Sequence, residues 1–464
     1  MALLTLLRAL GIGFLWIAFA EGVLAVLFWR FEIGGVGPFA FAAVATGMLA
    51  GAMYLSGQVA RERTGLREAL LFALLWWTLT PLVAGLPFVL QGMHPGAAYF
   101  EAASALTTSG AWLSDSAARS SESGMLWRAL LQWGGGLVSV AFAAAVFVQP
   151  IFVGIETVPP RFMRREEASY FQSLGRALRF LMPAYVILSI SAFIMLLMAD
   201  ASPLESATSA LSVVASGGFF PLGAEDTPVR PLLAGLLLPF ILFSGASFVI
   251  VASGRESWRA RVGDKETAAY VTVIVIVATI LSVFSGIYSA PDVGRNLFNA
   301  ASLMSTNGVT LGEINNLPIA LVAVVIGGSA ISTAGGLKIL RWLVIFRRVR
   351  EELRRLVMPR AVFGKAVIEH ELGVWMHFII FTFVLGALVL ILTSGGHSFE
   401  LAVCAAAGVL SNAGPVLQLA SETTDGYAIF ENPILRAALV GGMILGRIEA
   451  VVALALINRG FWRS

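Results

Sequence analysis

Four stretches of small polar residues end in glycine: ALTTSG at Gly110, SVVASG at Gly217, LMSTNG at Gly308 and VLSNAG at Gly414. None places a nucleophile beside a base, or gathers His, Cys, Asp and Glu into a metal-binding set. What they offer is backbone. A glycine turn admits angles that crowd other residues and brings a carbonyl oxygen near an axis with no side chain in the way. Carbonyl oxygens are hard, uncharged ligands suited to replacing the water around a monovalent cation. Each stretch closes an apolar segment too short for a bilayer, which takes about 20 residues. If that segment is a helix, its C-terminal end carries partial negative charge, which favours a cation. The residues expected to line such a path are Thr108, Ser109 and Gly110; Ala215, Ser216 and Gly217; Thr306, Asn307 and Gly308; and Asn412, Ala413 and Gly414. Taken singly, each stretch reads equally well as a helix cap with a glycine stop.

Two further features belong to the same chemistry. Residues 327–338 read GGSAISTAGGLK inside an apolar run. Two glycine pairs and three hydroxyls make a poor lipid-facing helix, so the block is expected to break the span and line the path as a gate. Its expected residues are Gly327, Gly328, Ser332, Thr333, Gly335, Gly336 and Lys338. The glycines could instead serve close helix packing. Arg447 stands with Glu449 in MILGRIEAVV, and intramembrane charge is costly and usually functional. Arg447 either pairs with carbonyls of the broken loop as an electrostatic barrier, or sits near the cytoplasmic end, snorkelling or pairing with Glu449.

The elements that must position these residues are membrane helices. The chain is 58% hydrophobic and 13% charged, against about 25% charged in soluble domains; its mean hydropathy is +0.84. Ten spans are expected at 8–29, 35–57, 68–90, 126–153, 178–199, 230–252, 267–289, 317–346 (interrupted), 374–394 and 433–458. Basic clusters at 61–67, 161–179, 255–265 and 341–365 alternate with connections carrying Glu101, Asp115, Glu122, Asp200, Glu205, Glu225, Asp226, Asp292, Glu313, Glu400 and Glu422. The positive-inside rule makes the basic set cytoplasmic, the acidic set external and both termini cytoplasmic. After the first two spans, a unit of span, short helix, glycine turn and span recurs about every 100 residues, which marks an internal repeat. The expected fold is therefore an all-α polytopic membrane protein with four span–pore helix–span repeats around a central pore. An N-terminal hairpin spans 1–57, and the repeats span 58–155, 156–262, 263–350 (with a broken second helix) and 351–464. Cys404, the lone cysteine, excludes an intrachain disulfide and reads as packed apolar surface. His94, His370, His377 and His397 have no ligand set beside them, and no nucleic-acid role is needed to explain the basic runs.

The stretches FEAASALTTSGA, WRALLQWGGGLVSVAFAAAVFVQP, SVVASGGF, LFNAASLMSTNGVTLGE, GGSAISTAGGLKILR, NAGPVL and LGRIEAVVALAL resemble, in order, the Trk/Ktr/HKT superfamily of potassium uptake proteins, Trk type. The extra hairpin fits Trk rather than Ktr. The resemblance implies potassium as the permeating ion, with no bound organic cofactor. It also implies filter glycines Gly110, Gly217, Gly308 and Gly414, gating by the loop at 327–336, and Arg447 beneath the filter. It implies a homodimer in a bacterial cytoplasmic (inner) membrane, surrounded by lipid. A peripheral cytoplasmic nucleotide-binding (TrkA-like) subunit would complete the system, for which the basic stretch 341–365 is a plausible dock. The chain departs from the pattern at Ala215, which lacks a side-chain oxygen, and at GPVL, where a second glycine is common. Two other classes stand beside this reading. An alternating-access carrier for another monovalent cation such as sodium would use broken helices in inverted repeats. A membrane enzyme would need an acid, base or metal set that the sequence does not offer.

Overall fold

The computed structural model describes residues 2–57, 65–113, 121–147, 170–218, 231–249, 265–285, 289–312, 314, 316–357, 368–420 and 426–449. Regular structure among them is helical, apart from one isolated bridge between Leu113 and Gly426. The chain opens with a hairpin of α1 (Ala2–Arg30) and α2 (Val36–Ser56), turned at Gly35 with φ 103°. Phe28 meets Phe39 edge to face at 5.0 Å, and Phe39 meets Trp127 at 5.7 Å, which docks the hairpin on the first repeat.

The repeats follow. In the first, α3 (Leu66–Ala84) and α4 (Leu86–Leu90) lead to the short α5 (Pro95–Leu106), and α6 (Glu122–Phe142) returns, ending in a π turn over Ala143–Phe147. The second has α7 (Tyr170–Met198), short α8 (Pro203–Val214) and α9 (Pro231–Gly245). The third has α10 (Lys265–Ser285), short α11 (Ala290–Met304), α12 (Leu317–Ile326) and α13 (Ile339–Val357). The fourth has α14 (Ile368–Ser394), short α15 (Phe399–Leu410) and α16 (Pro433–Ile448).

Seven helices among the described residues are long and apolar enough to cross a membrane. The short helices have 12, 12, 15 and 12 residues, about 18–22 Å at 1.5 Å per residue, so each reaches only partway. The sequence starts three of them with a cap followed by proline, which suits the first helical position because it needs no N–H there. His94 accepts from the Gly96 N–H before Pro95. Ser202 and Glu205 form a reciprocal capping box around Pro203. Ser289 precedes Ala290 and Pro291. Ser398 caps the fourth without proline, accepting from the Leu401 N–H at 3.3 Å.

Two expectations change. The basic stretch beginning at 341 is not a loop: α13 carries Arg341, Arg347, Arg348, Arg350 and Arg354 as helix through Val357. Alternation of arginine with apolar residues at helical spacing explains this. Glu101 does not sit in an exposed external connection; it is a buried residue of α5. The far ends of the expected fourth, sixth and tenth spans lie outside the described residues. So do the basic residues at 161–165 and 255–261 and the acidic residues Asp115, Glu225, Asp226, Glu313 and Glu422.

Candidate functional site

The four short helices end alike. One residue past each cap stands a non-glycine in the left-handed region: Thr108 (φ 56°), Ser216 (φ 55°), Thr306 (φ 56°) and Asn412 (φ 53°). Each such residue costs about 1–3 kcal/mol and persists only where its surroundings hold it. Helix-closing bonds accompany three of them, from Ser109 N to Ser104 O (2.9 Å), Gly217 N to Ser212 O (2.8 Å) and Ala413 N to Gly408 O (2.7 Å). The third helix closes one residue later, from Gly308 N to Ser302 O at 3.1 Å. Threonine, serine and asparagine thus stop the helices, and the glycines come after the stop.

Two residues beyond the left-handed position stand Gly110, Gly218, Gly308 and Gly414. The structural register therefore pairs Gly218, not Gly217, with the other three. Gly110 (φ 70°), Gly218 (φ 64°) and Gly308 (φ 72°) are left-handed, whereas Gly414 opens a 3-10 helix over Gly414–Leu419. The contacts around them run in a circle. A methyl group on Gly110 would overlap the Gly217 carbonyl oxygen, and one on Gly218 would overlap that of Asn307. On Gly308 it would stand 3.4 Å from the Ala413 oxygen, and on Gly414 2.8 Å from that of Ser109. Each repeat's glycine faces a carbonyl of the next, and the fourth returns to the first. The Gly414 N–H closes the circle by donating to Ser109 O at 2.5 Å. The carbonyl oxygens of Ser109, Gly217, Asn307 and Ala413 each stand against a glycine of the neighbouring repeat. Gln132 of α6 donates from Nε2 to the Gly217 oxygen at 2.8 Å.

Beneath this ring lies the loop that breaks the third repeat. Its neck is Gly327 (φ 74°) against Gly336 (φ 74°), so close that a methyl on Gly336 would stand 2.8 Å from the Gly327 Cα. Leu337 N donates to Val325 O and Ile339 N to Gly328 O, both at 2.9 Å, pinning the two strands of the neck. The buried tip touches three helix ends. Thr333 Oγ1 and Ser216 Oγ share a hydrogen bond of 2.8 Å. Gly335 N donates to Thr306 Oγ1 at 2.8 Å and packs on the Ser411 carbonyl. Two of the strained left-handed residues are thereby held by the loop. Asn412 is held elsewhere, its Nδ2 donating to Ser109 Oγ and Met443 O, each at 2.9 Å. Lys338 is also left-handed (φ 71°), and its ammonium donates to the Ala334 oxygen.

Arg447 completes the layer. Its Nε donates to Thr107 O and its Nη1 to Thr333 O, both at 2.8 Å. It therefore pairs with carbonyls rather than with Glu449, which takes Arg341 at 2.5 Å and lies 4.0 Å from His377 Nδ1. A cavity of about 30 Å³ opens just below, bordered by Ser139, Ser332, Lys338, His377, Arg447 and Glu449.

A family model, TrkH, described as a cation transport protein, matches residues 266–403. The Trk system potassium uptake protein TrkH of Escherichia coli K12 is 27% identical over 434 residues, covering 86% of each chain. TrkH of Halomonas elongata is 26% identical over 449 residues, covering 91% of this chain and 90% of the relative. The crystal structure of the potassium transporter TrkH from Vibrio parahaemolyticus superposes with a TM-score of 0.87 at 25% identity, covering all of both chains.

The chain is similar to TrkH proteins in sequence and in fold. It is a multi-pass membrane protein whose relatives are named as transporters, not enzymes. The chain brings the expected pathway residues into one region, buried except for the half-buried Gly336 and Lys338, with the glycine of the second repeat moved by one position. Sequence reasoning missed Gln132, Arg128, Asn299 and Tyr427, all of which touch the backbone around the ring. A signal existed for some of them: a glutamate in FEAASAL and an arginine and glutamine in WRALLQW are costly inside apolar helices unless they meet each other or a polar backbone.

Proposed function

We propose that this protein takes up potassium across a bacterial cytoplasmic membrane through a four-repeat selectivity filter. The observation that carries this reading is the closed circle of backbone contacts from Gly110 through Gly218 and Gly308 to Gly414. Four inward helices presenting their C-terminal ends and uncharged carbonyls to one axis suit a weakly hydrated monovalent cation. The filter is Thr108–Gly110, Ala215–Gly218, Thr306–Gly308 and Asn412–Gly414.

The loop 327–338 is the gate, and Arg447 holds it closed against the filter. Potassium is cargo, driven inward by the membrane potential, and no organic cofactor is needed. The protein works as a homodimer with both termini in the cytoplasm. A cytoplasmic nucleotide-binding subunit opens the gate by pulling on the basic helix α13, whose Arg347 and Arg348 pair with Glu351 and Glu352. That placement gives the subunit a lever joined directly to the gate loop through Ile339.

The test is rescue of potassium-limited growth in cells lacking their own uptake systems, with and without the matching cytoplasmic subunit. Flux of Gly110→Ser into vesicles accompanies it. Rescue together with a lowered potassium-over-sodium ratio is expected. Rescue with an unchanged ratio sinks the filter assignment, and saturable low-turnover flux with no ratio at all favours a carrier.

A further inference from the structure

Behind the ring, repeats 1 and 3 share a construction. Five residues before the last residue of the short helix stands Glu101 in α5 and Asn299 in α11. Seven residues after it stands Leu113 or Leu311. In both repeats the first accepts from the backbone N–H of the second: Leu113 N to Glu101 Oε1 at 2.6 Å, and Leu311 N to Asn299 Oδ1 at 2.7 Å. Asn299 also returns a bond from Nδ2 to Leu311 O at 3.2 Å. In the first repeat Arg128 of α6, ion-paired with Glu101, donates instead to Ala111 O, two residues before Leu113. Ser104 donates to that same oxygen at 2.6 Å. Glu101, Arg128 and Ser104 are fully buried, and Asn299 nearly so.

The same count in the fourth repeat gives Ala405, which has no polar side-chain atom. There the chain leaves the ring as a 3-10 helix, and the Tyr427 hydroxyl donates to Gly414 O at 3.1 Å. In the second repeat it gives Ser209, whose counterpart at 221 lies outside the described residues.

A buried ion pair is weak evidence for stability, because desolvation offsets its attraction. An uncharged asparagine makes the same backbone contact one repeat-pair away. The shared element is therefore the geometry, a side chain that ties the strand leaving the ring to the helix entering it. A carbonyl ring discriminates cations by the number and spacing of its oxygens, so a tied strand fixes what a loose one lets drift. We propose that Glu101 and Asn299 are positioning residues that fix the carbonyl spacing of the ring. Arg128 holds Glu101 in place, and potassium selectivity depends on these side chains outside the ion path. This rests on the filter reading above.

The experiment reconstitutes the full chain into phosphatidylethanolamine–phosphatidylglycerol vesicles and measures the potassium-over-sodium flux ratio. Asn299→Ala removes both bonds and is expected to lower the ratio several-fold. Asn299→Asp keeps the acceptor for Leu311 N and is expected to retain most of the ratio. Glu101→Gln keeps an acceptor but uncouples Arg128, and carries the test if Asn299→Ala does not yield folded protein. A lowered yield or melting temperature with an unchanged ratio overturns the proposal. Gly110→Ser is measured alongside. If it lowers the ratio while Asn299→Ala and Glu101→Gln do not, the positioning role falls and the filter stands. If none lowers it, the filter reading falls first.

Discussion

Arg447 and Thr107 are 340 residues apart in sequence, yet the arginine Nε donates to the threonine carbonyl oxygen at 2.8 Å while its Nη1 reaches Thr333 O at the same distance. One side chain thus joins the end of the first short helix to the tip of the loop in the third repeat. A planar guanidinium can address two carbonyls in a fixed fork, which a lysine cannot. Arg447→Ala is expected to raise basal potassium flux several-fold in vesicles without the cytoplasmic subunit. Arg447→Lys is expected to raise it less. Flux at or below the wild-type level in both variants would contradict a closing role.

The register of the second repeat gives a sharp comparison. Gly218 is left-handed and abuts the Asn307 carbonyl and, at 2.8 Å, Pro415. Gly217 meets the side chains of Gln132 and Ser212, which can turn aside. Gly218→Ala is expected to cost about 1–2 kcal/mol from backbone handedness alone, and to lower potassium-over-sodium selectivity. Gly217→Ala should do less of both. The opposite order in flux and thermal unfolding would return the ring glycine to position 217.

Ser216 and Thr333 form a pair suited to a double-mutant cycle. Their shared hydrogen bond joins the end of the second short helix to the loop, and Thr333 also donates to Ser244 O at 2.9 Å. Ser216→Ala, Thr333→Ala and the double variant are expected to show a coupling of about 0.5–1.5 kcal/mol in thermal unfolding. Additive effects would mean that the loop does not bear on Ser216.

Below the loop, Arg341 and Glu449 are both largely buried, 6% and 15% exposed at the side chain. Glu449→Gln strands a buried arginine, an error worth about 3–5 kcal/mol, and the melting temperature should fall accordingly. Arg341→Met with Glu449→Leu should recover most of that loss. A double variant as unstable as the single would show that the helices need the charges themselves.

Much of the architecture could be read from residue pattern. Spans are long apolar runs, and a short apolar segment ending in small polar residues and a glycine recurs at four matching places. The ring's register could not be read this way, because SVVASGG offers two glycines and only the position of the left-handed Ser216 decides between them. Glu101 is grouped by sequence with the external connections because acidic residues alternate with the basic clusters; the pairing with Arg128 that buries it joins two separate helices. His377 looked inert because its neighbours Arg341 and Glu449 come from other helices. Long-range partners of this kind leave no local trace in sequence.

The bond from Gly414 to Ser109 also orders the protein's assembly in time. A ribosome releases the first quarter of the ring some three hundred residues before the residue that seals it. Until then Ser109 O lacks the N–H that it meets in the finished protein, and no partial chain ending before position 414 holds the closed circle of backbone contacts. The circle is therefore among the last features of the fold to form, after nearly the whole polypeptide has been made.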